Sequence, residues 1–224
     1  MIKDIKFGFQ IMKYGLNFKA SMIGLAFCMG IGILFSILLQ VGAIGCLYAS
    51  MGALFTVQLI HSVSVSTMVQ TSPYKKKLQT IIPAVVGTLC MLIMNTFAVI
   101  TQWMGYQRAI NNTNPNLIII YEPGEYETGY IISSLILVYV LLYTAFAMKH
   151  FWVAMVILIG GCIAIQNLDR LGMIDYVMIP EGLAIALSYV IVLFGGFIMY
   201  VISCLSYKKD YSKATFDNLL KRAK

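Results

Sequence analysis

Charged residues are scarce in this sequence. Only 11% of its 224 residues are Asp, Glu, Lys or Arg, whereas 60% are apolar. Soluble domains have about twice that charged share, so the composition argues against a water-soluble fold. Because one membrane crossing needs about 20 apolar residues, a chain of this length has room for one bundle of about six spanning helices. It has no room for a sizeable aqueous domain.

The sequence also lacks the motifs that catalysis, metal binding or nucleotide binding would need. It has no HExxH, no GxSxG and no Walker A loop, GxxxxGK[ST], so this chain does not bind ATP in that way. His61 and His150 are the only histidines, and the five cysteines form no CxxC pair. No charge lies in the middle of an apolar run, where proton relays and ion sites place one. These absences argue against a membrane-embedded enzyme, a proton-coupled carrier and a cofactor on this chain.

Long uncharged runs are the main feature that is present, and we interpret them as six transmembrane helices. Their approximate bounds are 21–39, 46–64, 81–102, 129–148, 151–166 and 182–204. The first two form a hairpin that turns near Gly42 and Gly45, although one long buried helix is the alternative. The fifth run is short for a full crossing. We therefore expect a re-entrant or interfacial segment to complete it within 167–181.

The basic residues predict how these spans are oriented. All of the 16 Lys and Arg residues except Arg108 and Arg170 fall on one side of the spans. The other side carries the acids Glu122, Glu125, Glu127, Asp169, Asp175 and Glu181. Because Lys and Arg accumulate in short cytoplasmic loops, both termini are predicted to be cytoplasmic. The basic residues cluster at span ends, so membrane lipid headgroups and an acidic protein partner suit them better than nucleic acid does.

The chain divides into three parts: an interfacial amphipathic helix at 1–20, a six-helix transmembrane domain at 21–204 and a basic cytoplasmic tail at 205–224. In the first part, apolar residues recur at steps of three and four. They are Ile2, Ile5, Phe9, Met12 and Leu16. An apolar stripe opposite lysines is typical of a helix that lies in the membrane interface. A frayed cytosolic tail, the alternative, would not need the stripe.

Three local signals modify this outline. In the cytoplasmic loop, Ser72 followed by Pro73 predicts a helix start, because Ser caps free N–H groups and Pro suits the first turn. Pro83 should bend or break the third span. The external stretch 103–128 includes a β-prone segment at 117–121.

Polar, aromatic and Met side chains inside the spans are candidates for a substrate pathway. They are Tyr48, Met51, Phe55, Gln58, Asn95, Tyr139 and Tyr143. Aromatic and Met surfaces adapt to varied apolar cargo. Hydrogen bonding between helices is the alternative explanation for each polar member of this set.

The segment 71–79, with the sequence TSPYKKKLQ, resembles the coupling-helix region of ABC-2-type transporter permeases. In that family, a Ser-Pro pair followed by basic residues begins the short helix that docks on the ATPase subunit. The architecture is also similar to this family. A surface helix precedes six spans, both termini are inside, and the connection between the last two spans is re-entrant.

The resemblance implies a permease subunit of an ATP-driven exporter in a bacterial plasma membrane. Its partners would be two copies of a separate ABC ATPase, which bind ATP and Mg, and a second or homologous permease. By position, the residues implied in ATPase coupling are Ser72, Pro73, Tyr74, Lys75, Lys76, Lys77, Lys149 and His150. The first three would start the coupling helix, the next three would contact the ATPase or lipid, and the last two would make a secondary contact. The small size resembles that of exporters of peptides, bacteriocins or drugs.

A different function class also fits these spans. The chain would then be an accessory or structural membrane subunit without a transport path, such as an assembly partner or an immunity protein. In that case the polar residues within the spans would serve packing only.

Overall fold

A computed structural model of the chain describes residues 2–15, 18–37, 42–111, 124–147, 149–168 and 178–212. All regular secondary structure in these ranges is helical. The helices are α1 (Ile2–Met12), α2 (Phe18–Ile37), α3 (Gly42–Ser64), α4 (Thr67–Gln70), α5 (Lys75–Gln79), α6 (Ile81–Asn111), α7 (Glu125–Ala147), α8 (Phe151–Leu168) and α9 (Glu181–Ser206). The predicted all-helical class is therefore confirmed for the described part of the chain.

Four stretches are long and apolar enough to cross a membrane. They lie in α2, in α5 together with α6, in α7 and in α9. In α3 and α8 the apolar stretches are shorter, Leu54–Ser64 and Phe151–Gly161. The membrane class is thus supported by four helices, and the count of six spans stays a prediction.

The first two long helices form the expected hairpin. The rings of Phe35 in α2 and Tyr48 in α3 stack with their centroids 5.5 Å apart. Nearer the other end of the pair, the ring of Phe55 lies against Gly24. This antiparallel pairing confirms the hairpin, and the alternative of one long helix is wrong. The predicted position of the turn is wrong as well, because α3 begins at Gly42 and Gly45 lies in its first turn.

The centre of the bundle is formed by α3, α6, α7 and α9, whereas α2 packs mainly on α3 and α8 mainly on α7. Val57, Met91, Leu137 and Val192 are fully buried, one from each central helix. They belong to one continuous apolar core. The two flanking helices leave large apolar side chains exposed, as lipid-facing helices do.

Two adjacent glycines allow α9 to enter between α6 and α7. A Cβ atom at Gly196 would lie 2.1 Å from Thr88 Oγ1 of α6, and one at Gly195 would lie 2.5 Å from a methyl carbon of Val138 on α7. No side chain fits at those distances. Small residues permit this close approach, which stabilises helix pairs in membranes.

The helix of the third predicted span, α6, is longer than expected. α6 continues to Asn111, nine residues beyond the predicted end at 102, and α7 begins at Glu125 rather than 129. No proline and only one glycine follow Trp103 in this stretch, so nothing there stops the helix. Because α6 begins at Ile81, Pro83 lies in its first turn, where a missing N–H costs no helical hydrogen bond. A helix break does lie nearby, at Thr80 between α5 and α6, but α6 itself is not broken at Pro83.

The N-terminal helix packs on the bundle. Gly8 of α1 lies against the side chains of Ile82 and Val86 of α6, and Met12 is buried. This excludes the frayed tail, but α1 ends at Met12, earlier than predicted. Phe9, assigned to the apolar stripe, is exposed.

Several predictions lie outside the described residues. These are the β-prone segment 117–121, most of the re-entrant segment within 167–181, and the tail beyond 212.

Candidate functional site

One end of the bundle gathers most of the described basic residues, and we call it the basic end. It comprises α1, the last turn of α3, α4, α5, the start of α6, the turn between α7 and α8, and residues 207–212. Its lysines include Lys75, Lys76, Lys77, Lys149, Lys208 and Lys209. At the opposite end, Tyr130 of α7 donates a hydrogen bond to Glu181 at the start of α9. The basic end and the acidic residue Glu181, which were predicted to lie on opposite sides of the membrane, therefore lie at opposite ends of the bundle.

The short helix α5 is anchored at its end and exposed at its beginning. Leu78 and Gln79 are buried, whereas Tyr74, Lys76 and Lys77 are exposed. The ring of Tyr74 also lies 5.6 Å from that of Phe7 in α1. An aromatic residue and two lysines thus project from a helix that is fixed to the bundle.

Ser72 does not cap this helix, contrary to the prediction. The N-cap position is held by Tyr74, whose side chain makes no capping hydrogen bond. The Ser72 hydroxyl instead donates to the backbone carbonyl of Val69, 3.0 Å away. Its N–H donates to the same carbonyl. Ser72 therefore completes the turn after α4 and leaves the start of α5 without a side-chain cap.

Lys149 connects α5 to two other elements of the basic end. Its ammonium group donates to Gln79 Oε1 at 3.3 Å and to the backbone carbonyl of Lys209. It also lies 4.3 Å from the centre of the Tyr211 ring, within cation–π range. Burial lowers the pKa of the Lys149 amine, while nearby Asp210 acts in the opposite direction. The other residue predicted to make this secondary contact, His150, packs its ring beside Phe146.

Tyr211 is the second connection at this end. Its hydroxyl lies 2.7 Å from the hydroxyl of Ser64 at the end of α3. Gln70 of α4 donates to the Ser64 backbone carbonyl at 2.6 Å. Burial raises the pKa of the Tyr211 phenol, so the hydroxyl keeps its proton at neutral pH.

A small polar cavity lies beneath Tyr211. It is lined by His61, Gln79, Ala145, Lys149, Ser203, Ser206 and Tyr211, and it has room for about one water molecule. His61 is only 7% exposed, and neither of its ring nitrogens has a hydrogen-bond partner among the residues that the structure describes. The same holds for Gln79 Nε2. Buried polar groups in this state are costly unless water reaches them.

The seven residues predicted to line a substrate pathway do not come together in one passage. Tyr48 and Phe55 face α2. Asn95 is fully buried and donates to Ser188 of α9 at 3.0 Å, and Tyr139 donates to the carbonyl of Leu158 in α8 at 2.6 Å. The remaining three are partly buried: Met51, Gln58 and Tyr143. The set is thus spread over at least three helix interfaces.

Sequence reasoning placed Ser64, Gln79 and Tyr211 on the cytoplasmic side but did not single them out as contact residues of the basic end. One signal was available for Tyr211, because it is an aromatic residue directly after the charged run Lys208, Lys209 and Asp210. An aromatic side chain there has no reason to face water. Nothing comparable marks Ser64 or Gln79.

No protein-family model, curated protein or solved structure matches this chain. Its function is therefore inferred from its residues and their geometry.

Proposed function

We propose that the chain is the transmembrane permease subunit of an ATP-driven exporter in a bacterial plasma membrane. It crosses the membrane six times with both termini in the cytoplasm, so that the basic end faces the compartment that holds ATP. It supplies half of the translocation pathway, and a second permease supplies the other half. ATP and Mg bind a separate ATPase, present in two copies. The cargo is an amphipathic peptide or a hydrophobic small molecule.

The observation that carries this proposal is the two-sided character of α5. Its exposed beginning offers Tyr74, Lys76 and Lys77, a surface that suits an acidic partner. Its buried end inserts Leu78 beside α3 and α6. Because the same short helix is both exposed and anchored, movement of a docked ATPase would pass directly to two central helices of the bundle.

The contact made by Lys149 supports the same proposal. The turn between α7 and α8 was implied as a secondary contact for the ATPase, and its lysine bonds to the last residue of α5. An ATPase that docks on α5 would therefore also move α7 and α8.

The accessory-subunit alternative has one observation in its favour. Asn95 and Tyr139, both candidates for the pathway, are engaged in hydrogen bonds within the bundle. That is the use expected of polar residues that serve packing. In the exporter proposal, the pathway consequently lies between this chain and the second permease.

Purification of the tagged full chain from membranes of its native host, in a mild detergent, tests the proposal. We expect a MgATP-hydrolysing chain to co-purify with the wild type. Recovery of that chain should fall by about tenfold or more in K75E/K76E/K77E, because a docked surface with reversed charge repels its partner. The matched control is K6E/K13E/K19E, which also reverses three lysines, one on α1, one directly after α1 and one on α2, and should leave recovery unchanged.

Equal recovery of the ATPase with K75E/K76E/K77E and with the wild type would refute docking through α5. An ATPase whose activity is independent of this chain, although its assembly into a complex requires the chain, would favour the accessory subunit.

A further inference from the structure

After α9, the chain folds back across the basic end, and we call residues 207–212 the strap. Hydrogen bonds from two of its residues, Lys209 and Tyr211, help to hold it in place. The Tyr211 hydroxyl pairs with that of Ser64 at 2.7 Å, and the carbonyl of Lys209 accepts a hydrogen bond from Lys149. The strap therefore ties α9 to the last turn of α3 and to the turn between α7 and α8.

Lys149 extends this connection to α5. Its ammonium group is bonded to Gln79, the last residue of α5, and lies over the ring of Tyr211. Gln79 is 5% exposed, so its side chain is fixed among buried neighbours. Through one lysine and one tyrosine, elements that are between 60 and 147 residues apart in sequence are joined at a single point.

We propose that Lys149 and Tyr211 are positioning residues, which fix α5 relative to α3 and α9 and keep the strap closed over the cavity at His61. That α5 receives an ATPase rests on the proposed function. The closure of the strap over His61 does not depend on the proposed function, so an experiment can refute either statement without refuting the other.

The two histidines of the chain allow the closure to be measured. His61 lies under the strap, whereas His150 is half-buried in the turn beside it. Diethylpyrocarbonate acylates an accessible imidazole nitrogen, releasing carbon dioxide and ethanol. His150 therefore serves as an internal reference, and mass spectrometry of the detergent-solubilised full chain gives both modification rates. We expect His61 of the wild type to react about tenfold more slowly than His150, as a site that must open locally does.

Three variants remove the contacts of Tyr211 in steps. Y211F keeps the ring over Lys149 but loses the hydroxyl, whereas S64A removes one partner of that hydroxyl, which also contacts Gln70 and Gln79. Since both variants abolish the bond between Tyr211 and Ser64 and Y211F removes the other contacts as well, S64A should accelerate modification of His61 by about threefold and Y211F by about fivefold. The double variant Y211F/S64A should be no faster than Y211F alone. Y211L loses the ring as well and should accelerate it by about tenfold, to the rate of His150, with the rate at His150 unchanged.

Equal reactivity of His61 and His150 in the wild type would overturn the proposal, as would continued protection of His61 in Y211L. If Y211L does not fold, the modification rates of His61 in the conservative variants Y211F and S64A still test the proposal. Additive effects in that pair would show that the two hydroxyls act independently, and the strap would then lack its main bond.

The positioning role has its own readout in the purified complex. K149M leaves Tyr74, Lys76 and Lys77 in place and removes only the side chain of the secondary contact, so the ATPase should still co-purify, at a lower recovery than with the wild type. Because α5 is no longer fixed, kcat for MgATP should fall about fivefold with KM unchanged, and K149R, which keeps charge and donors, should restore it. Unchanged kcat in K149M would contradict the positioning role. If no ATPase co-purifies with any variant, the proposed function is refuted. The modification rate of His61 then still tests whether the strap closes over the cavity.

Discussion

Helices α2 and α7 have nearly the same mean hydropathy but very different positions in the molecule. Half of the residues in the apolar stretch of α7 are buried, against 6% in that of α2. Both helices are suited to a bilayer, so hydropathy does not decide which becomes central. Their polar residues do, because contacts between helices in lipid depend on packing and hydrogen bonds.

The polar residues of α7 show how this works. Ser133 accepts a hydrogen bond from Gln102 of α6 at 2.6 Å, and Tyr139 bonds to α8. In α2, by contrast, Ile23 and Phe27 are 71% and 67% exposed and face the surroundings of the bundle. The central helices are thus held to specific partners, whereas α2 is held mainly by the hairpin with α3.

The largest effect is expected where a side chain is added at the tightest central contact. G196A places a methyl group 2.1 Å from Thr88 Oγ1, and that hydroxyl is itself bonded to the Ala84 carbonyl. We expect the free energy of unfolding to fall by about 3 kcal/mol, the upper range for overpacking. Thermal unfolding in detergent, followed by circular dichroism, measures it.

The matched control is G30A in the peripheral helix α2, where the new methyl group meets nothing within 4 Å. Its effect should lie within about 0.5 kcal/mol. Equal losses in G196A and G30A would mean that α9 is not packed against α6 as described.

A smaller effect is expected from two neighbouring polar positions on α6. Both Asn95 and Thr96 are bonded to α9, to Ser188 and to Tyr189 respectively, but only Asn95 is buried. N95A should therefore cost about 1.5 kcal/mol, near the maximum measured for such bonds in membrane proteins, and T96A about 0.5. Chemical unfolding of both variants in mixed micelles gives the comparison. A larger loss in T96A would contradict the burial of Asn95 at the helix interface.

The smallest effect is expected at the attachment of the peripheral helix α8. A methyl group at Gly161 would lie 2.2 Å from the ring of Tyr139, whereas one at Gly160 meets nothing within 4 Å. The Tyr139 ring can swing away at the loss of its bond to Leu158, so G161A should cost about 1 kcal/mol and G160A less than about 0.5. Thermal unfolding of this adjacent pair checks the prediction. No difference between them would place α8 elsewhere on the bundle.

The helical segments were predictable because each reflects a local pattern. Uncharged runs gave the approximate positions of α2, α3, α7, α8 and α9, and a basic loop gave the position of α5. The extension of α6 to Asn111 was missed, because Trp103 was interpreted as the start of the external stretch although no stop signal follows it. The predicted cap at Ser72 was wrong because the Ser72 hydroxyl donates to the carbonyl of Val69 instead, an alternative that the local sequence leaves open.

Contacts between distant residues were not predictable in the same way. The sequence singled out Lys149, but its bond to Gln79 spans 70 positions. The pair of Tyr211 and Ser64 spans 147, and neither residue carries a pattern that identifies its partner. The predicted pathway residues are spread over several helix interfaces for the same reason, because the sequence does not show which helices pack together. Periodicity shows that Tyr48, Asn95 and Tyr139 lie in helices, but the neighbour that each faces is set by the packing of the whole bundle.

The central claim is that the basic end, with α5, lies in the cytoplasm. Lys76 is exposed at this end and Glu125 at the other, so K76C and E125C form a matched pair for labelling with a membrane-impermeant maleimide, with the unsubstituted chain as background. The account predicts that K76C reacts in inside-out vesicles and not in intact cells, and that E125C does the reverse. Labelling of K76C in intact cells would contradict it.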